Sequence, residues 1–141
     1  MSDQLLTLEV ATPLGLALHT ECESIAAPSV EGEFGVLPGH LPLLAALRAG
    51  IIKYRVSGED LAAAVGPGFV EAGPEKVLLL TDLFVRPEDV DADSVREELE
   101  VAEKRLAEHE GVYAGHDYEE IVRSIEWAHA RLELLGAANE S

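Results

Sequence analysis

At 141 residues, 48% of them apolar, the chain carries enough core-forming material for one ordinary domain or two small modules, which excludes a disordered protein. Ten Lys and Arg against 27 Asp and Glu leave a net charge of −17 at pH 7, a field that repels phosphate backbones and anionic headgroups and excludes nucleic-acid binding by bulk charge. A single cysteine, Cys22, excludes an internal disulfide and a cysteine metal cluster; residues 1–10 lack a basic and apolar leader, no uncharged run nears the roughly 18 residues of a membrane span, and the expectation is a soluble, cytosolic protein.

In chain order, residues 5–10, 16–20, 51–56, 61–65, 69–72 and 77–85 read as short strands between turn signals, the spacing of a sandwich or barrel. Within 51–56 the alternation sends Ile52, Tyr54 and Val56 to one face and Lys53 and Arg55 to the other, so one face is expected in a core. All seven prolines lie at or before Pro87, and nine of the twelve glycines precede it. Helix breakers stop there, which marks a boundary. Charge shifts with it, from net −6 over 1–86 to net −11 over 87–141.

Beyond the boundary Ala92, Val95, Leu99, Ala102 and Leu106 recur at helical period. After a turn at 111–115 a second stripe runs through Tyr118, Ile121, Val122, Ile125, Ala128, Leu132 and Leu135, with Asp117 and Glu120 expected as its capping box and Gly136 as its stop. The expected fold class is therefore α+β: an N-terminal all-β sandwich over 1–86 and a C-terminal antiparallel helical hairpin over 88–137. Val95, Leu99, Leu106, Ile121, Ile125 and Leu132 are the expected hairpin packing residues.

Sequence-readable nucleophile, phosphate and zinc motifs are missing. The densest unusual stretch is 28–43, where Glu31, Glu33 and His40 offer the parts of a carboxylate-dependent hydrolase. Neighbouring flexible carboxylates do not readily acquire the separated pKa values such chemistry needs, and turn or interface residues account for the same composition. His109, His116 and His129 are too dispersed for a metal site, and Trp127 reads as a packing residue beside the second stripe. No metal and no cofactor are expected.

The run Glu31-Gly32-Glu33-Phe34-Gly35-Val36-Leu37-Pro38-Gly39-His40-Leu41-Pro42-Leu43-Leu44 resembles the signature of the epsilon subunit of bacterial F-type ATP synthases. The likeness continues through Gly50-Ile51-Ile52, Gly68-Phe69-Val70-Glu71, Thr81-Asp82 and a helical hairpin ending in Ala130-Arg131-Leu132, and so spans essentially the whole chain. The resemblance implies a non-catalytic central-stalk subunit of a proton-translocating synthase, peripheral on the cytoplasmic face of the bacterial cell membrane. It implies a sandwich bound to the gamma subunit and the ring of c subunits, with alpha and beta subunits met through the assembled catalytic sector. Glu31, Glu33, Phe34 and His40 are then the expected c-ring contacts.

The hairpin departs from that family. Members that bind ATP there carry an Ile/Leu-Asp-x-x-Arg-Ala pattern opening the first helix and basic residues one turn apart on the second. Here Ala92-Asp93-Ser94-Val95-Arg96-Glu97 is the nearest match, leaving Asp93 and Arg96 as a degenerate nucleotide motif, and the position one turn before Arg131 is Trp127. The competing readings are the hydrolase and an unrelated sandwich-plus-hairpin adaptor.

Overall fold

The structure, a computed structural model, describes residues 4–110 and 115–138. Period-two alternation folds the N-terminal part into ten strands: β1 Leu6–Thr12, β2 Gly15–Cys22, β3 Ser24–Ser29, β4 Gly32–Val36, β5 Leu43–Leu47, β6 Gly50–Val56, β7 Glu59–Val65, β8 Gly68–Ala72, β9 Lys76–Thr81 and β10 Phe84–Val85. The strand path is β10-β7-β6-β3-β5-β8-β9-β1-β2, with β4 on the other side of β3. β3 meets β5 at one register position, Ser29 opposite Leu47, and there the path divides into two layers, β10-β7-β6-β3-β4 and β5-β8-β9-β1-β2. β1 runs parallel to β9, and the other pairs are antiparallel.

Leu6, Leu8 and Val10 from β1, Ile52 from β6, Val70 from β8 and Leu79 from β9 are fully buried between the layers. Cys22 lies in the same core, where burial pushes its thiol up to about 11 and leaves it unreactive. Gly68 admits no substitute, because a Cβ there would overlap the backbone carbonyl of Leu80 on the neighbouring strand. Three strands lie where sequence reading placed none: β3, β4 and β5 fall in the Gly- and Pro-rich stretch. The expected 77–85 strand is two, β9 and β10, parted at Asp82 and Leu83.

A 3₁₀ turn, Pro87–Asp89, leads into helices α1, Ala92–Ala107, and α2, His116–Ala138. Asp91 caps α1: one carboxylate oxygen accepts the Asp93 N–H at 3.2 Å and the other the Ser94 hydroxyl at 3.0 Å. α2 differs from expectation at both ends. It begins at His116, with the Glu119 N–H donating to the Gly115 carbonyl, so Asp117 lies inside the first turn and is no cap. It also runs through Gly136, whose exposed position needs no special backbone angle.

α2 buries two opposite faces. At about 100° per residue, Ile121, Ile125, Ala128 and Leu132 share the side that meets α1, while Trp127, Ala130, Leu134 and Ala137 share the other. Ala130 and Leu134 are buried with Ile51 and Ala64 of the sandwich, and Ala62, Val85, Val90, Trp127 and Ala137 surround them. Of the expected hairpin residues, Val95 and Ile121 are buried and Leu99, Leu106, Ile125 and Leu132 are half-buried. The strand at 51–56 is correspondingly buried on both faces at its start, Ile52 into the sandwich and Ile51 under the helix.

Candidate interaction surfaces

The 31–40 segment is a turn, a strand and a loop. Val30 and Glu31 make the β3–β4 turn, closed by Ser29, whose hydroxyl donates to the Gly32 carbonyl at 2.7 Å and accepts the Glu31 N–H at 3.1 Å. Gly32 follows at φ 123°, open to glycine without strain. Glu33 stands on β4 opposite Pro28, with its carboxylate 3.9 Å from the Lys53 ammonium of β6. Phe34 turns the other way and is half-buried against the sandwich core.

His40 lies beyond the strand. Its Nδ1–H donates to the Leu41 carbonyl, and its backbone N–H donates to Leu37 at 3.1 Å. The neighbouring Gly39 N–H donates to the Pro74 carbonyl at 2.8 Å, pinning this loop to the β8–β9 turn. Leu37, Leu41 and Leu44 are exposed around it. Among the described residues no hydrogen bond or ion pair joins Glu31, Glu33 and His40 to one another.

Sequence reading missed a larger feature. The register of the second layer places Ala46 beside Phe69, Phe69 beside Leu80, Leu80 beside Ala11, and Ala11 beside Leu16. All point away from the core, as the inward alternation of Val70, Leu79 and Val10 requires. Phe69 is 58% exposed, and Leu16, Leu44 and Leu80 are also open. α2 packs on β6 and β7 of the opposite layer, so this apolar band has no cover within the described residues. Beside it Glu9 accepts from Lys76 Nζ at 2.7 Å and pairs with His19 Nδ1 at 2.9 Å. The Lys76 ammonium, and then the His19 ring, hold the Glu9 carboxyl below its usual range. The period-two pattern carried the signal, since Phe69 and Leu80 occupy outward positions where polar residues belong.

In the hairpin both arginines of the degenerate nucleotide motif region have carboxylate partners. Arg96 pairs with Asp93 at 3.3 Å, both exposed, and Arg131 is engaged by Glu98 of α1. A groove of about 830 Å³ opens between the outer surface of β3, β6 and β7 and the end of α2. Lys53, Arg55 and Arg86 line it together with Glu59, Asp60 and Glu88, and Arg55 pairs with Asp60 at 3.5 Å. Of the histidines, His109 lies 5.9 Å from the Tyr118 ring, His116 is 3.7 Å from Glu120, and His129 is exposed on α2. No group of three or more His, Cys, Asp or Glu suited to a metal ion occurs among the described residues. Among them, too, no helix is long and apolar enough to cross a membrane.

Residues 5–87 match the family described as ATP synthase, Delta/Epsilon chain, beta-sandwich domain. The chain is 39% identical to the ATP synthase epsilon chain of Moorella thermoacetica, an alignment covering 94% of this chain and 97% of that one. This chain belongs to the ATP synthase epsilon chain family. The epsilon chain of Nitratidesulfovibrio vulgaris strain DP4 is 37% identical over the same shares of the two chains. Two solved structures share the fold. A chain of the Euglena gracilis mitochondrial ATP synthase, in a structure of OSCP/F1/c-ring, superposes with TM-score 0.79 at 21% identity, covering 98% of this chain and 83% of that chain. A chain of the Tetrahymena thermophila mitochondrial ATP synthase central stalk/c-ring does so with TM-score 0.62 at 13% identity, covering 96% and 99%. As an epsilon chain the protein is a non-catalytic subunit of the ATP synthase, and nothing favours the hydrolase reading of Glu31, Glu33 and His40.

Proposed function

We propose that this epsilon chain is a rotor component that couples the catalytic sector to the c-ring of a proton-translocating synthase, peripheral on the cytoplasmic face of the bacterial cell membrane. The observation that carries the reading is the uncovered apolar band Ala46, Phe69, Leu80, Ala11 and Leu16, whose natural occupant is the gamma subunit. Its outward aromatic, Phe69, with the polar group Glu9, Lys76 and His19 farther along the same layer, has the character of an anchor beside a polar rim. The edge formed by Glu31, Glu33 and His40 meets the c-ring, with Phe34 fixing β4 from inside.

The sandwich, residues 1–86, supplies these contacts, and residues 88–137 act as a weak regulatory arm without cofactor. From Asp117 to Ser141 six acidic residues face Arg123 and Arg131, a net −4. That charge disfavours approach of an extended arm to an acidic segment of the catalytic subunits. Native co-purification tests the assembly: alpha, beta and gamma subunits should accompany the full chain. Phe69→Asp should lose gamma at unchanged thermal stability, and Glu33→Lys should weaken only docking to the membrane sector. Retention of gamma by Phe69→Asp would place the stalk contact elsewhere.

A further inference from the structure

Arg131 has the least exposed side chain of the described ion pairs, at 14%. Its Nη1 and Nη2 donate to the two carboxylate oxygens of Glu98 on α1, at 3.0 and 3.4 Å. Its Nε donates to the Trp127 carbonyl at 3.3 Å, and the guanidinium lies 5.1 Å from the Trp127 ring centroid. The Trp127 ring in turn packs into the cluster shared with Ile51 and Ala64 of the sandwich. One side chain thus ties the seam between the helices to the seam between α2 and the sandwich. The first of these is thin, since α1 buries only Val95 and Ala102.

We propose that Arg131 is a positioning residue: clamped by Glu98 and stacked on Trp127, it latches the hairpin closed and seated with no nucleotide present. This rests on reading the hairpin as the movable arm of an epsilon chain. A fork-to-fork guanidinium–carboxylate pair is directional in a way a lysine cannot reproduce. All three guanidinium nitrogens have acceptors, so a polyphosphate would have to displace Glu98 to reach them. Arg96, on the second turn of α1, is already paired with Asp93.

Hydrogen exchange on the full chain tests the latch, with sandwich amides as the internal control for folding. Glu98→Gln and Arg131→Gln should each speed exchange of α1 amides by about tenfold or more, as expected for loss of a charged hydrogen bond. The double variant should be no faster than the worse single one, because the two residues act as a pair. Arg131→Lys should fall between. Millimolar ATP should leave wild-type exchange unchanged. Additive effects of the two substitutions, α1 exchange in Glu98→Gln within twofold of wild type, or slowing by ATP would overturn the latch. ATP hydrolysis by the assembled synthase is read separately. If Glu98→Gln opens the isolated chain yet leaves hydrolysis untouched, the latch stands and the regulatory arm falls.

Discussion

Truncating Leu134 to alanine probes the seat of the hairpin. Leu134 is fully buried among Ile51, Ala64 and Ala130, in a seam where half of the other members are alanines that cannot reach into the space it leaves. Leu→Ala costs about 2–5 kcal/mol in protein cores. A helix lying on a sheet can settle more than a closed core can, which favours the lower part of that range, about 2–3 kcal/mol. Undocking of α2 then becomes about 30- to 150-fold more populated. Hydrogen exchange reads this directly: α2 amides should accelerate by that factor while β1, β8 and β9 keep their protection. Trp127, the only tryptophan, supplies a second signal. In a urea titration of Leu134→Ala its emission should shift at lower denaturant than the sheet signal. Leu14→Ala, at a fully exposed position in the β1–β2 turn, serves as the control, with a cost within about 0.5 kcal/mol. Coincident transitions in Leu134→Ala, with α2 and the sandwich losing protection together, would refute the view that the hairpin is a separately docked unit.

Gly68→Ala should prevent accumulation of folded protein, judged by soluble yield and circular dichroism, because the clash is with backbone on the adjacent strand rather than with a movable side chain. Gly136→Ala should stabilise the chain by about 0.5–1 kcal/mol in denaturant titration, since no atom lies within 4 Å of the new methyl and glycine disfavours a helix interior. The depressed Glu9 pKa predicts a pH signature. Its pairing contributes stability above the ordinary carboxylate value of 4.5 and loses it as pH falls through the lower folded value. The melting-temperature gap between wild type and Lys76→Met should therefore be present at neutral pH and close in acid; a gap that persists in acid would exclude the pairing as its source.

The parts of the fold that were legible in sequence are those where one period dominates. Helix α1 and the strands β6 to β8 follow from clean apolar spacing, and the proline cutoff at Pro87 precedes the helices as expected. β3, β4 and β5 were hidden because Pro28, Gly32, Gly35 and Pro42 look like loop residues; Gly32 and Gly35 stand on β4, an edge strand that tolerates them, Pro28 stands within β3, and Pro42 only precedes β5. α2 was read as one stripe because a helix buried on two opposite faces carries two interleaved ones, and Trp127, Ala130 and Leu134 belong to the second. Its start was misplaced at Asp117 because a good capping residue lay within the first turn. The outward apolar band was invisible one strand at a time. Phe69 stands as a single outward apolar residue on β8 and Leu80 follows Leu78 on the outer face of β9, and only the cross-strand register brings Phe69 and Leu80 together.

Proton-driven ATP synthesis tests the central claim most directly, using membrane vesicles that carry the synthase without this chain and then receive it. Full-length protein should restore synthesis and suppress proton leak, Phe69→Asp should restore neither, and a chain ending at Arg86 should restore both. Equal synthesis and equal leak with and without the chain would contradict its assignment as the coupling element of the stalk.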